Sequence, residues 1–162
     1  MTFRLRESEP ADFDVLYAID QACFPPGISY SRRELTYYMS LRGTFTLIAE
    51  TSGPKPDIAG FIVAQENSKG MGHIITIDTV SKFRRHGLGS FLMQAAEERL
   101  KASGCHAIVL EVAVDNAPAI AFYKRLGYFV LKTIPRYYQN RLDALMMAKR
   151  FARTSSPITS KS

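Results

Sequence analysis

Apolar and polar positions follow two different periods along this chain, and each change of period marks an element. Phe3-Arg4-Leu5-Arg6 alternates one by one, as a short strand does. Over residues 11–24 the apolar Phe13, Leu16, Ile19 and Cys23 recur every three or four positions, the stripe of an amphipathic helix. Pro25-Pro26-Gly27 ends it. Ser31 and Glu34 have the spacing of a capping box, which starts a second, short helix towards Leu41. Residues 45–50 and 58–65 read as strands joined by the Pro- and Gly-bearing turn 52–57, and 73–80 is another β-branched run.

The clearest helix is 87–103, with Leu88, Phe91, Leu92, Ala95, Ala96 and Leu100 on one side and Gly104 after its end. Residues 107–114 are apolar almost throughout, as a central strand covered on both faces would be. Asp115-Asn116 caps a helix over 117–126, with Pro118 in its first turn and Gly127 closing it. Two strands follow, 128–134 and 142–149. The order β-α-α-β-β-β-α-β-α-β-β predicts an α/β fold with a mixed sheet and excludes a strictly alternating dinucleotide-binding series.

Composition narrows the class. A chain of 162 residues with 46% hydrophobic and 22% charged residues is one globular domain, not a disordered protein. Residues 153–162, Ser/Thr-rich with little to bury, read as a disordered tail and leave 1–152 as the domain. The formal charge of +6 points to an anionic partner. Cys23 and Cys105 have no C-x-x-C spacing, and His73, His86 and His106 no ligand spacing, so neither a disulfide framework nor a metal site is expected. The first residues lack the apolar run and cleavage site of a signal peptide, and no stretch reaches the ~20 apolar residues of a membrane span. The expectation is a cytoplasmic protein, monomeric or weakly dimeric, that does not use a membrane.

Candidate chemistry begins with Arg84-Arg85-His86-Gly87-Leu88-Gly89-Ser90, between a predicted strand and the strongest helix. Unpaired amides at a helix start carry partial positive charge and suit a phosphate or pyrophosphate. The glycines could equally serve a tight turn alone, and both the P-loop and the G-x-G-x-x-G patterns are absent. Glu111 is the only charge in its apolar strand. It is either a desolvated carboxylate with a raised pKa, fit to act as a general base, or a structural group that points away or pairs with an arginine. Tyr123 is either an aromatic core residue or a phenol able to protonate a thiolate. Asn116 reads as an N-cap.

Two segments resemble the GCN5-related N-acetyltransferase (GNAT) family. Residues 110–128 match L-E-V-x-x-x-N-x-x-A-x-x-x-Y-x-x-x-G-[FY] in order and spacing, and Arg84 to Gly89 match the family's [QR]-x-x-G-x-[GA] loop. Within the family the likeness is to protein N-terminal acetyltransferases. Phe24-Pro25 with Tyr30-Ser31 is similar to their F-P…W-S loop, and Arg136-Tyr137-Tyr138 with Asp143 to Met147 to their K-Y-Y…E-D-A-x-x-M hairpin. The resemblance implies a single GNAT domain with a mostly antiparallel mixed sheet, splayed between its fourth and fifth strands.

It further implies acetyl transfer from acetyl-CoA to a protein or peptide N-terminus, by direct attack in a ternary complex. Glu111 would be the base and Tyr123 the acid. Ile77, Asp78, Thr79, Arg84, Arg85, His86, Gly87, Leu88, Gly89, Ser90 and Asn116 would bind the donor, and amides around Asp78-Thr79-Val80 would hold the oxyanion. Phe24, Pro25, Tyr30, Tyr137 and Tyr138 would bind the acceptor. The sequence departs from the family where the acceptor sits: Tyr30 replaces the usual Trp, Arg141-Leu142 replaces Gly-Glu, and an acidic Asp78 stands beside the expected thioester channel. A nucleophilic Cys23 or Cys105 would need an activating partner. Two alternatives stand: a small-molecule amine or lysine as acceptor, or a non-catalytic acyl-CoA-sensing or nucleic-acid-binding module. Direct nucleic-acid binding is disfavoured by the scatter of basic residues, although an indirect ribosome association is compatible with the family.

Overall fold

The structure, a computed structural model, describes residues 2–152; the expected disordered tail lies outside the described residues. Chain order gives β1 (Phe3–Glu7), α1 (Phe13–Cys23), α2 (Arg32–Ser40), β2 (Thr44–Thr51), β3 (Ile58–Glu66), β4 (Met71–Thr79), α3 (Leu88–Ala102), β5 (Ala107–Ala113), α4 (Ala117–Arg125), β6 (Phe129–Ile134) and β7 (Ala144–Arg150), with 3-10 turns at Pro10–Asp12 and Ser81–Phe83. The seven strands form one sheet in the order β1-β2-β3-β4-β5-β7-β6, antiparallel except for β4 against β5. The last strand starts at Ala144, not at residue 142, because Leu142 N is held by Asn140 Oδ1 in the preceding turn. Among the described residues no helix is long and apolar enough to cross a membrane.

Local chemistry accounts for the helices. Ser31 accepts from Glu34 N while Glu34 accepts from Ser31 N, the reciprocal box that starts α2. Asn116 Oδ1 accepts from Ala119 N at 3.2 Å and starts α4. Arg6 ties the sequence before α1 to the sheet, donating to Asp12 at 2.8 and 2.9 Å and to Glu50 at 2.9 Å.

Two hydrophobic layers cover the sheet. On one face α3 packs Leu88, Leu92, Met93, Ala96 and Leu100 against Ile62, Ile74, Ile108 and Leu110. On the other, Leu16 and Ile19 of α1 pack against Ile48, Phe61 and Val63. Helix α3 approaches closely because β3 carries Gly60 there. A Cβ at Gly60 would stand 2.6 Å from the Asp78 carbonyl oxygen and 3.3 Å from methyls of both Leu88 and Leu92.

The β4–β5 pairing is short, running only from Met71↔Ala107 to Ile74↔Leu110. Beyond it β4 bulges: Val63 faces Thr76 and Ala64 faces Ile74, which leaves Ile75 unpaired against β3. The strands part at that point, and the fourth and fifth strands of the sheet are splayed as expected.

Gly60→Ala should lower stability by about 1–3 kcal/mol through overpacking against a backbone oxygen. A urea transition with an unchanged midpoint would contradict this account of the packing.

Candidate active site

Two cavities meet in the opening between β4 and β5. A groove of about 610 Å³ runs over the α3 side, and a pocket of about 280 Å³ opens on the other. Cys23, Phe24, Ile77, Asn116 and Tyr123 line both, so the two form one passage.

The groove is built on the turn before α3. Arg85 and Gly87 both take left-handed φ values, 69° and 73°, which turns the chain sharply into the helix. A Cβ at Gly87 would meet nothing, so the requirement there is conformational. No side chain caps this helix. Leu88, Gly89 and Ser90, its first residues, line the groove with Arg84, Arg85 and Arg125. Free amides beside three guanidinium groups suit a diphosphate. At Gly89 a Cβ would stand 3.0 Å from the Phe122 ring, so this glycine lets α4 close the opposite wall.

Nine of the eleven positions expected to bind the donor line this groove: Ile77, Thr79, Arg84, Arg85, Gly87, Leu88, Gly89, Ser90 and Asn116. Two do not. His86 is exposed on the outside of the turn. Asp78 is 1% exposed, and its carboxyl is held by Thr76 on the α1 side of the sheet, because the bulge at Ile75 reverses which residues of β4 face α3. The expected oxyanion amides also need correction. Val80 N donates to Ala59 O at 2.8 Å. Alternation along the ladder then directs Asp78 N–H to β3 as well, and turns Ile77 and Thr79 N–H towards the opening.

All five positions expected to bind the acceptor, Phe24, Pro25, Tyr30, Tyr137 and Tyr138, line the second pocket. Tyr30 Oη donates to Ile75 O at 3.3 Å, a carbonyl freed by the bulge. Glu111 stands on its floor with a side chain 11% exposed. His73 Nε2 lies 2.9 and 3.1 Å from its two oxygens, and Tyr137 Oη donates to Oε1 at 2.9 Å. These partners overturn the expected rise in pKa. Burial does push the Glu111 carboxyl up, but the hydrogen bond and charge of His73 and the Tyr137 hydroxyl pull it further down, to below the usual range.

Tyr123 is buried at the junction of the two cavities, with core contacts to Phe122 and Tyr128. Burial, then the nearby Asp78 and Tyr138, raise its pKa, so its phenol remains a donor. Tyr123 is thus packed like a core residue and also lines the passage. Asn116 likewise caps α4 while lining both cavities. Cys23 donates from Sγ to Thr79 O at 3.3 Å, and burial raises its thiol, as it does for Cys105, which lines neither cavity. Among the described residues no group of three His, Cys, Asp or Glu is placed to hold a metal ion.

Several site residues escaped the sequence reading. His73 meets Glu111 only through the parallel register His73↔Val109, which a sequence does not display. Asp20 and Ile28 enter the pocket from α1 and the following loop. Arg125 does have a visible signal, lying three residues after Phe122 on the same helical face.

The acetyltransferase (GNAT) family model matches residues 13–128. An N-alpha-acetyltransferase of Sulfurisphaera tokodaii is 28% identical, over 90% of this chain and 92% of the relative. N-alpha-acetyltransferase 30 of Schizosaccharomyces pombe is 33% identical, over 71% of this chain and 77% of its own. The crystal structure of Ard1 from Thermoplasma volcanium superposes with a TM-score of 0.84 at 26% identity, covering 94% of this chain and 99% of that one.

Replacing His73 by Ala leaves burial as the dominant influence on Glu111. A carbon-13 NMR titration should then show the Glu111 carboxyl pKa rising relative to the wild type. An unchanged or lower value would contradict the role given to His73.

Proposed function

The chain belongs to the acetyltransferase (GNAT) family and is an N-acetyltransferase; from that premise we propose that it transfers acetyl from acetyl-CoA to the N-terminal α-amino group of a peptide or protein, by direct attack with both substrates bound. The observation that carries this reading is the passage itself: a cationic, amide-lined groove opens into a pocket floored by one carboxylate, and the two meet at Tyr123. Relatives named N-alpha-acetyltransferases support the acceptor class.

Acetyl-CoA would supply the activated acyl group and a diphosphate. In this reading the diphosphate rests on the turn at Arg85 and Gly87–Ser90, with Arg125 opposite, and the pantetheine arm passes Asn116 towards the gap. Glu111 receives the proton of the attacking amine and shares it with His73, whose side chain is 36% exposed and gives the proton a route to solvent. In this reading the Thr79 amide holds the developing oxyanion. Tyr123 donates a hydrogen bond to the departing sulfur. With its pKa raised, complete proton transfer from Tyr123 costs more than from a free phenol, and its main contribution is that bond.

The weak base selects the acceptor. An α-amine with pKa near 7.8 loses its proton at pH 7 for about 1 kcal/mol, whereas a lysine at about 10.4 needs about 4.6 kcal/mol. A carboxylate held below its usual range contributes little to the second task. No Lys or Arg lines the acceptor pocket among the described residues, while Glu111 and Asp115 do, so a cationic amino terminus enters without opposition.

Thiol release from acetyl-CoA should occur with short peptides bearing free N-termini and stop when these are blocked. Equal turnover on blocked, lysine-bearing peptides would overturn the acceptor assignment. Glu111→Gln should lower kcat by about 10²- to 10⁴-fold, and Tyr123→Phe should also lower it, with CoA affinity nearly unchanged in both. Wild-type rates would remove these roles. Gly89→Glu should abolish CoA binding measured by calorimetry, through its collision with Phe122 and its charge at the diphosphate, and undiminished binding would refute the groove assignment.

A further inference from the structure

Two buried carboxyl groups beside the acceptor pocket take no part in the chemistry above. Asp20 of α1 is fully buried and Asp78 of β4 is 1% exposed. Each has one oxygen satisfied: Asp20 Oδ2 accepts from Tyr30 N at 2.7 Å, and Asp78 Oδ1 accepts from Thr76 Oγ1 at 2.6 Å. The other two oxygens, Asp20 Oδ1 and Asp78 Oδ2, are buried without a donor. Neither residue joins any ion pair among the described residues. Helix α1 lies directly on β4, tied to it by Cys23 Sγ on Thr79 O, and Asp20 acts on the Asp78 carboxyl as an immediate neighbour, by hydrogen bonding as well as by charge.

Two bare carboxylates cannot share a dry site, because each lone oxygen needs a donor and the charges repel. A single proton between them satisfies both oxygens at once, since one then carries the O–H that donates and the other accepts from it. We propose that Asp20 and Asp78 share one proton, and that this bridged pair positions the 24–30 loop, the wall of the acceptor pocket, on the central strand. The link is direct: Asp78 belongs to β4, and Asp20 holds the backbone of Tyr30, whose ring and hydroxyl shape the pocket. Both are positioning residues, since neither needs to touch the reacting atoms.

The surroundings favour the protonated pair. Burial and the neighbouring Asp20 hold the Asp78 carboxyl well above the usual range. The titratable groups facing the pair are Cys23 from α1, Tyr30 from the loop and Tyr123 from α4, and burial raises all three, so all stay neutral at pH 7. Arg84 reaches Cys23 Sγ at 3.8 Å but neither carboxyl. A group with a raised pKa releases its proton as pH rises, so the loop loosens on the alkaline side and the acceptor is held less well there.

The proposal uses the peptide acceptor only as a kinetic probe, and its direct test needs no acceptor. In the full chain at pH 7, infrared spectroscopy should show the carbonyl band of a neutral carboxylic acid, lost in Asp78→Asn. The Asp78→Asn amide supplies a fixed N–H in place of the shared proton, so this variant should keep a peptide KM near the wild-type value. The ratio of wild-type to Asp78→Asn peptide KM should climb with pH, a comparison in which titration of the peptide cancels. Asp20→Ala should raise peptide KM by about fivefold, the effect of one lost hydrogen bond, with acetyl-CoA KM unchanged and Asp20→Asn restoring it. Absence of the acid band in the wild type would overturn the shared proton. A wild-type peptide KM in a folded Asp20→Ala variant would overturn the positioning role. Should Asp20→Ala fail to fold, a flat KM ratio between wild type and Asp78→Asn would overturn it instead. Failure of the peptide as a substrate would strike the acceptor assignment and leave the infrared result standing.

Discussion

The early end of the β4–β5 pairing is the constraint on which the rest of the molecule depends. Parallel strands normally continue until a loop intervenes, yet here four residue pairs are followed by a bulge at Ile75 and a gap. Backbone groups that would otherwise bond across the sheet are left facing that gap, including the Thr79 carbonyl that receives Cys23 and Arg84 and the Ile75 carbonyl that receives Tyr30. These two carbonyls are thereby satisfied from the walls of the passage, while the Ile77 and Thr79 amides stay turned to the gap. The same bulge swaps the faces of β4, which sends Asp78 towards α1 and leaves Ile77 and Thr79 lining the groove.

Around that gap the two faces of the sheet divide the chemistry. Helix α3 approaches over Gly60 and brings free amides to the groove, while α1, the loop after it and the β6–β7 hairpin enclose Glu111. Glu111 is buried, but His73 and Tyr137 compensate more than burial takes away, so its anion is stable there. The site is accordingly suited to an amine that is already partly deprotonated at neutral pH. Tyr123 and Asp78, whose pKa values are both raised by burial, supply neutral donors in the same region.

Much of this was legible in the residues. The Ser31–Glu34 capping box, the Asn116 cap, the α3 stripe and the Gly127 stop gave the element order, because each is a local signal whose physics acts within a few positions. The glycine turn before α3 was likewise local. What could not be read was which side chains from distant elements face one another: the His73–Glu111 contact depends on strand register, and the orientation of Asp78 depends on a single unpaired residue in β4. The expected rise in the Glu111 pKa failed for that reason. Its burial was visible in the apolar strand around it, but its partners were thirty-eight residues before and twenty-six after it.

In the proposed reaction donor and acceptor meet inside the gap between β4 and β5. A crystal structure with CoA joined covalently to a peptide amino terminus tests this most directly. The diphosphate should lie on the Arg85–Ser90 turn, the linking arm between the splayed strands beside Thr79, and the amine nitrogen between Glu111 and Tyr123. A peptide that leaves by another face, with Glu111 out of contact, would contradict it.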